Sequence, residues 1–451
     1  MRRLNPAHPK TILHFLSKNI LRGSGGAQPP ASLRTLDIFQ NAVIWCIMHI
    51  DTDIAIVGGG PNGMTLALAL QRCGLNSVIV DQLALSTQSA PEFDGRGYAL
   101  SLTSVRLLKA LGLWAEVQDA AQPMLGIRVS DGRIDTGPSP FAMEFDHAEI
   151  EEGPMGHMLE DRQLRPALIK AVRDSNSITY LEKTTVLTQD VSAGAVDLTT
   201  DTGTTVSARL LIGADGRRSQ VAQRAGIRKT GWSYDQTALV CAVQHDLPHN
   251  GIAHQYFLPS GPLAILPLPE NRSSIVWTET TKNARAIMAL NEADYLDVIR
   301  PRFGEFLGKI SLVGHRYSYP LDITIASEFV QPRLALIGDA AHGVHPIAGQ
   351  GLNAGYKDIA ALAHVLEDAK MRGEDIGALN TLSRYQEWRR FDVQTLGFAT
   401  DTFNKIFSND RPLLRMGRDL GLGLVNKMPA LRRAFIREAA GLSGDLPRLM
   451  Q

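Results

Sequence analysis

Apolar residues run from Asp53 to Val57 and stop at a row of glycines, the pattern of a strand buried in a parallel sheet. Leu and Ala between Gly63 and Cys73 predict a helix. Ser77 to Val80 is a second β-branched run, and it ends at Asp81. Strand, glycine turn, helix, strand and acid within about thirty residues make a βαβ unit. Helical spacing returns at Ser104–Leu111 and Asp161–Asp174. Between them, Gly126 to Phe145 alternates polar and apolar residues and is broken by Gly and Pro, which predicts antiparallel strands. Val186 to Ile212 reads as hairpin strands closing on the buried run Ala208–Ile212. From Gly231 to about Tyr319 the pattern is strand-like (Ala238–Val243, His254–Leu258, Leu263–Leu266, Ser274–Thr278), with one helix expected near Asn291–Arg302. Leu334–Ile337 is again a buried strand, Gly351–Leu366 a helix, and the chain from Leu379 is largely helical.

Composition narrows the class without naming a chemistry. The 451 residues are 44% hydrophobic and 20% charged, the balance of an ordinary globular protein of two domains. Lys plus Arg equals Asp plus Glu at 46 each, and no basic stripe carries interleaved aromatics, so nucleic acid is set aside as a partner. Cys46, Cys73 and Cys241 lie far apart with no metal-like spacing, which points to a reducing compartment and to no metal. The longest bilayer candidate, Phe39 to Ile50, is too short and contains Gln40, Asn41 and His49. Residues 1–47 differ from the rest: Arg2, Arg3, Lys10, Lys18, Arg22 and Arg34 stand against one acid, Asp37. The segment resembles an Arg-rich mitochondrial transit peptide, but the favoured reading of residues 1–47 is a disordered extension or a translation start assigned upstream of Met48.

Three glycine-rich segments each follow a buried strand. In Gly58-Gly59-Gly60-Pro61-Asn62-Gly63, Gly58 permits the tight turn, Gly60 lets a pyrophosphate approach the backbone, and Gly63 lets the helix pack on the sheet. The helix N-terminus supplies free N–H groups for phosphates, and Asp81 sits where a carboxylate accepts bonds from ribose hydroxyls. The second segment, Gly213-Ala214-Asp215-Gly216, places an acid at the carboxyl edge of the sheet, where open α/β sheets bind ligands; an ordinary Asp-Gly turn is the competing reading. The third is Gly338-Asp339-Ala340-Ala341-His342, continuing through His345, Pro346, Gly349, Gln350, Gly351, Leu352 and Asn353. Asp339 suits a sugar-alcohol hydroxyl, and the helix opened by Gly349 and Gly351 suits a ring carrying negative charge. His342 and His345 have no nucleophile elbow and no carboxylate–histidine set beside them, so they read as packed or solvent-bonded side chains.

These segments, in this order and at these distances, resemble the class A flavoprotein monooxygenases, the para-hydroxybenzoate hydroxylase-like group, from about Asp53 to Leu366. A narrower resemblance, to the ubiquinone-biosynthesis hydroxylases, rests on four further stretches. They are Asp94-Gly95-Arg96-Gly97-Tyr98-Ala99-Leu100-Ser101, Leu108-Lys109-Ala110-Leu111-Gly112-Leu113-Trp114, Gly261-Pro262-Leu263-Ala264-Ile265-Leu266-Pro267-Leu268 and Ser274-Ile275-Val276-Trp277. Tyr256 departs from the family, whose members often carry Arg before the residue matching Phe257; this bears on ring-position specificity.

The resemblance implies an α/β fold: a Rossmann-like FAD-binding domain, discontinuous in sequence (48–125, 151–230 and 326–370), a sheet-based substrate domain (126–150 and 231–325) and C-terminal helices (371–451). It implies FAD as cofactor, NAD(P)H as co-substrate, and O₂ and a polyprenylated phenol as substrates, with transfer of oxygen from a flavin C4a-hydroperoxide. FAD would be held by Gly58, Gly60, Gly63, Asp81, Arg96, Arg162, Asp215, Gly216, Gly338, Asp339, Gly351, Leu352 and Asn353. Pro346, Gly349, Gln350 and Gly351 would lie near the isoalloxazine, and no protein nucleophile is required. For Arg162, a surface arginine is an equal reading. The rival functions are an FAD-dependent reductase or epoxidase of an isoprenoid, and a non-catalytic FAD-binding scaffold in a biosynthetic complex. A flavin halogenase is disfavoured, since no Trp-x-Trp-x-Ile-Pro segment is present. The family places the protein in the cytoplasm, peripheral to the inner membrane, or in the mitochondrial matrix if residues 1–47 are a transit peptide, with a ubiquinone-biosynthesis complex as a candidate partner. From Lys405 to Gln451 basic residues outnumber acidic ones and alternate with Leu and Met. Such a segment suits an anionic membrane surface or packing on its own domain.

Overall fold

The computed structural model describes residues 48–90, 92–133, 137–343, 350–407 and 428–451. The expectations for residues 1–47, for Pro346 and Gly349, and for most of the first half of the basic C-terminal segment therefore lie outside the described residues, as does the Gln350 side chain. Ile47–Gln451 is one compact unit.

Two sheets of eight strands carry it. The first runs in the order Val330–Gln331, Leu334–Leu336, Thr205–Gly213, His49–Val57, Ser77–Val80, Ile178–Leu181, with the hairpin Val186–Val191 and Val196–Thr200 attached to Thr205–Gly213. Its four central pairings are parallel. These strands are apolar on both faces because helices cover both, and Ile54, Ile56, Ile79, Leu211 and Ile212 are fully buried. Helix Pro61–Arg72 starts with Pro at its first position, where the missing N–H costs nothing.

The register decides where the three glycine segments meet. Val57 is level with Val80 and with Gly213, and Gly213 is level with Leu336. Gly58, Asp81, Ala214 and, two residues past its strand, Gly338 therefore lie along one carboxyl edge, on strands about 4.8 Å apart. Sequence distance vanishes because parallel strands end together.

The second sheet has a helix-covered back and an opposite front. Strands Lys229–His245, Ile252–Leu258, Gly261–Leu268, Arg272–Thr280 and Ile310–Ala326 form its middle, and the hairpin Gly126–Arg133 and Gly137–Asp146 joins at Ile252–Leu258. Alternation sends Leu239, Cys241, Tyr256, Leu263, Ile275 and Trp277 to the back, under the helices Thr281–Met288 and Glu292–Phe303. One helix was expected there and two are present. Thr281–Met288 is short, and its apolar signal, Ala284 and Ile287, is only one helical turn long. The three-stranded sheet Gly97–Ser101, Gln122–Met124 and Gly156–Glu160 was not foreseen either, because its strands are too short to show a period.

Candidate cofactor and active site

Gly58 has φ of 107°, and a Cβ there would stand 2.4 Å from the Ala214 carbonyl oxygen. The first and second glycine segments thus touch, and only glycine fits. A Cβ on Gly63 would stand 1.9 Å from the Gly58 carbonyl oxygen. Gly60 is different: a Cβ there would meet nothing within 4 Å. Its backbone faces open space at the N-terminus of Pro61–Arg72, where orphan N–H groups and the helix dipole favour phosphate. Across the site, a Cβ on Gly351 also meets nothing, in the first turn of helix Gln350–Met371. A Cβ on Gly338 or Gly355 would instead strike Asn62. Asn62 was missed from the sequence, where it reads as filler inside the fingerprint. Its Oδ1 is a buried acceptor with no partner among the described residues, and so is Oδ1 of Asp215. Two open cradles and two orphaned acceptors along one strand edge fit a dinucleotide with phosphate at one end and hydroxyl donors between.

The acids of the site are held by protein donors. Asp81 accepts from the Gly59 N–H at 2.6 Å and the Leu83 N–H at 2.7 Å, which fixes its carboxylate beside the first glycine turn. Asp215 Oδ2 accepts from the amides of Gln220 and Val221, capping the helix Gln220–Arg224; Gly216 continues its turn with φ of 78°. Asp339 accepts from Arg217 Nε at 3.0 Å, and Arg217 also pairs with Asp322 of the second sheet. Arg217 was not foreseen: it follows Gly216 as one of two adjacent arginines, and sequence does not say which turns inward. Beneath Gly338, the buried Asp358 accepts from the Gly338 N–H (2.8 Å), from His342 Nε2 (2.6 Å) and from Arg389 Nε (2.8 Å). Burial alone would raise the Asp358 carboxyl, but His342 and Arg389 outweigh it and hold it low. His342 is thus a packed side chain, as expected.

Arg96 binds Asp94 through Nε at 2.9 and 2.8 Å and through Nη2, and its side chain remains half exposed. Arg162 pairs with Glu160 at 2.9 Å and is also well exposed. Leu352 is partly buried against the main core. The Asn353 side chain turns away from an open site: it accepts from the Ser101 N–H (3.0 Å) and Ser104 Oγ (2.7 Å) and donates to the Ala99 carbonyl (2.8 Å). Tyr256 points to the back of the second sheet, 2% exposed, whereas Phe257 points to the front with Val129 and Met143. Position 256 is one pleat away from the front, so the departure there does not line that face.

The model of the family described as FAD binding domain matches residues 51–395. The chain belongs to this family. The ubiquinone hydroxylase UbiL of Rhodospirillum rubrum is 41% identical, covering 97% of this chain and 99% of the relative. The 3-demethoxyubiquinol 3-hydroxylase of Escherichia coli is 36% identical over 87% of this chain and 99% of its own. Among solved structures, p-nitrophenol 4-monooxygenase PnpA from Pseudomonas putida DLL-E4 superimposes with a TM-score of 0.72. At 20% identity, covering 88% of this chain and 99% of that one, it shares the fold. The protein is an FAD-dependent monooxygenase of the ubiquinone hydroxylase group.

Proposed function

We propose that this protein hydroxylates the ring of a polyprenylated phenol in ubiquinone biosynthesis, using FAD, O₂ and electrons from NAD(P)H. The observation that carries the reading is the end-to-end match to a ubiquinone hydroxylase, 41% identical with 99% of that relative covered. When bound, FAD would supply the redox chemistry. The chain supplies position. In this reading the amides at Gly60 and the start of Pro61–Arg72 bind the pyrophosphate. Asp81 and Asp339 would hold the sugar and ribityl hydroxyls, and the first turn of Gln350–Met371 would stand toward the ring. The phenol lies against the apolar front of the second sheet, where Val129, Met143, Phe257 and Val276 exclude water.

The described part of the C-terminal segment packs on the body, since Ile436 and Ala440 join a cluster with Leu102, Ile150 and Met155. We place any membrane contact on the outer side of helix Pro429–Ala439, where Arg433, Phe435 and Arg437 are exposed. Among the described residues no helix is long and apolar enough to cross a membrane. The functional reading is tested by deleting the gene and profiling quinones. A polyprenylated precursor lacking one ring hydroxyl accumulates if the reading is right; an unchanged quinone pool overturns it.

A further inference from the structure

Strand Ile310–Ala326 grips the loop that carries Arg96. Tyr317 and Tyr319 are two residues apart on it, and therefore on one face, packed in the front cluster with Ala238, Val240 and Leu321. The Tyr317 hydroxyl donates to the Glu92 carbonyl at 3.2 Å, and a Cβ on Gly95 would stand 2.0 Å from the Tyr317 ring. The Tyr319 hydroxyl donates to Asp94 Oδ1 at 2.9 Å. The same carboxylate receives the Arg96 N–H at 3.0 Å and its guanidinium, which lies 5.4 Å from the centre of the Tyr319 ring. One tyrosine thus fixes the acid through its hydroxyl and the arginine through its ring face. Its cluster also holds Val276, one of the residues against which a substrate ring would pack.

We propose that Tyr319 is a positioning residue that sets the Arg96 guanidinium toward FAD and joins the substrate face to the cofactor. This rests on the reading of Arg96 as an FAD contact. Asp94 is 8% exposed, so its orientation depends on its donors rather than on water. Removing the hydroxyl leaves Asp94 paired with Arg96 and, at 4.0 Å, with Arg165, but takes away the donor that ties that group to the second sheet. The hydroxyl link from Asp94 to the second sheet is lost while the ion pair, the ring face and the Tyr317 contacts survive.

The test uses the full-length chain, with and without FAD, as Tyr319→Phe, Tyr319→Leu, Arg96→Ala and the Arg96→Ala/Tyr319→Phe double variant. FAD affinity is read from flavin fluorescence, and the rise in melting temperature on adding FAD is read beside it. Tyr319→Phe is expected to raise the FAD Kd about tenfold and to shrink that rise, so that the FAD-loaded melting temperature falls by more than the FAD-free one. Tyr319→Leu, which loses the ring face as well, is expected to do more. The double variant is expected to be no weaker than Arg96→Ala alone, because both act through one contact. A purely structural tyrosine would lower the FAD-free and FAD-loaded melting temperatures equally, and that result overturns the proposal. So does Arg96→Ala weakening FAD while Tyr319→Phe leaves affinity intact. If Arg96→Ala itself leaves the Kd alone, the Arg96 contact falls, and this inference with it.

Discussion

Gly60 and Gly63 belong to one fingerprint, yet alanine at the two positions is expected to do opposite things. Gly60 has φ of −74° and ψ of −175°, which alanine adopts without strain, and its added Cβ would meet no atom within 4 Å. Gly60→Ala is therefore expected to leave the FAD-free fold as stable as before, or to stabilise it by about 0.4–1 kcal/mol through the unfolded chain. The methyl would fill the space left for the pyrophosphate. Pushing the phosphates off the helix N-terminus forfeits about two charge-assisted hydrogen bonds of roughly 1.5–3 kcal/mol each. That is about 3–6 kcal/mol, or two to four orders of magnitude in Kd. Gly63→Ala places its Cβ 1.9 Å from the Gly58 carbonyl oxygen, so the turn or the helix must move, at about 1–3 kcal/mol or more. Its FAD-free melting temperature is expected to fall. Thermal unfolding without FAD, paired with FAD titration of the folded fraction, separates the two. A destabilised FAD-free Gly60→Ala, or one that binds FAD normally, would refute the argument that its open space is the phosphate cradle.

Asp339→Ala is expected to weaken FAD ten- to a hundredfold, the loss of one charge-assisted bond of roughly 1.5–3 kcal/mol. Because Arg217 keeps Asp322 as a partner, stability should fall little; unchanged affinity with a lowered melting temperature would make Asp339 a turn residue only. Burial, with Arg128 nearby, lowers the His254 pKa from 6.5 to about 4. The unfolded chain therefore takes up a proton below pH 6.5 that the fold refuses until about pH 4. Stability should drop as pH falls across that window, by at most about 1.4 kcal/mol per pH unit from this residue. His254→Gln should flatten the melting-temperature profile between pH 6.5 and 4.5, and an unaltered slope would assign it to other groups. A chain begun at Met48 is expected to fold and bind FAD, since Ile47–Gln451 is one compact unit. Loss of FAD from that shortened chain would count against it.

The strand edge that gathers the three glycine turns was legible because its signal is local. Each strand is a short apolar run, each turn needs glycine for a steric reason, and parallel register then gathers the turns without further information. The helices expected from Gly63 and Gly351 start at Pro61 and Gln350. What sequence could not carry was direction. Asn353 sits in the right segment, but only packing against Ser101 and Ser104 turns its amide inward. Tyr256 drew attention by its place beside Phe257, and the pleat put it on the other side of the sheet. Arg217 and Tyr319 carry no motif of their own, and Asn62 is filler within one; the roles of all three come from partners over a hundred residues away in sequence.

The most direct measurement is isotopic. The FAD-loaded protein is given NAD(P)H, ¹⁸O₂ and a phenol carrying a short polyprenyl chain, and the product is weighed by mass spectrometry. One ¹⁸O atom in a new ring hydroxyl, with nucleotide oxidation accelerated by the phenol, is the expected result. Nucleotide oxidation indifferent to the phenol, with no ¹⁸O in any ring product, would contradict the assignment of this chain as an aromatic hydroxylase.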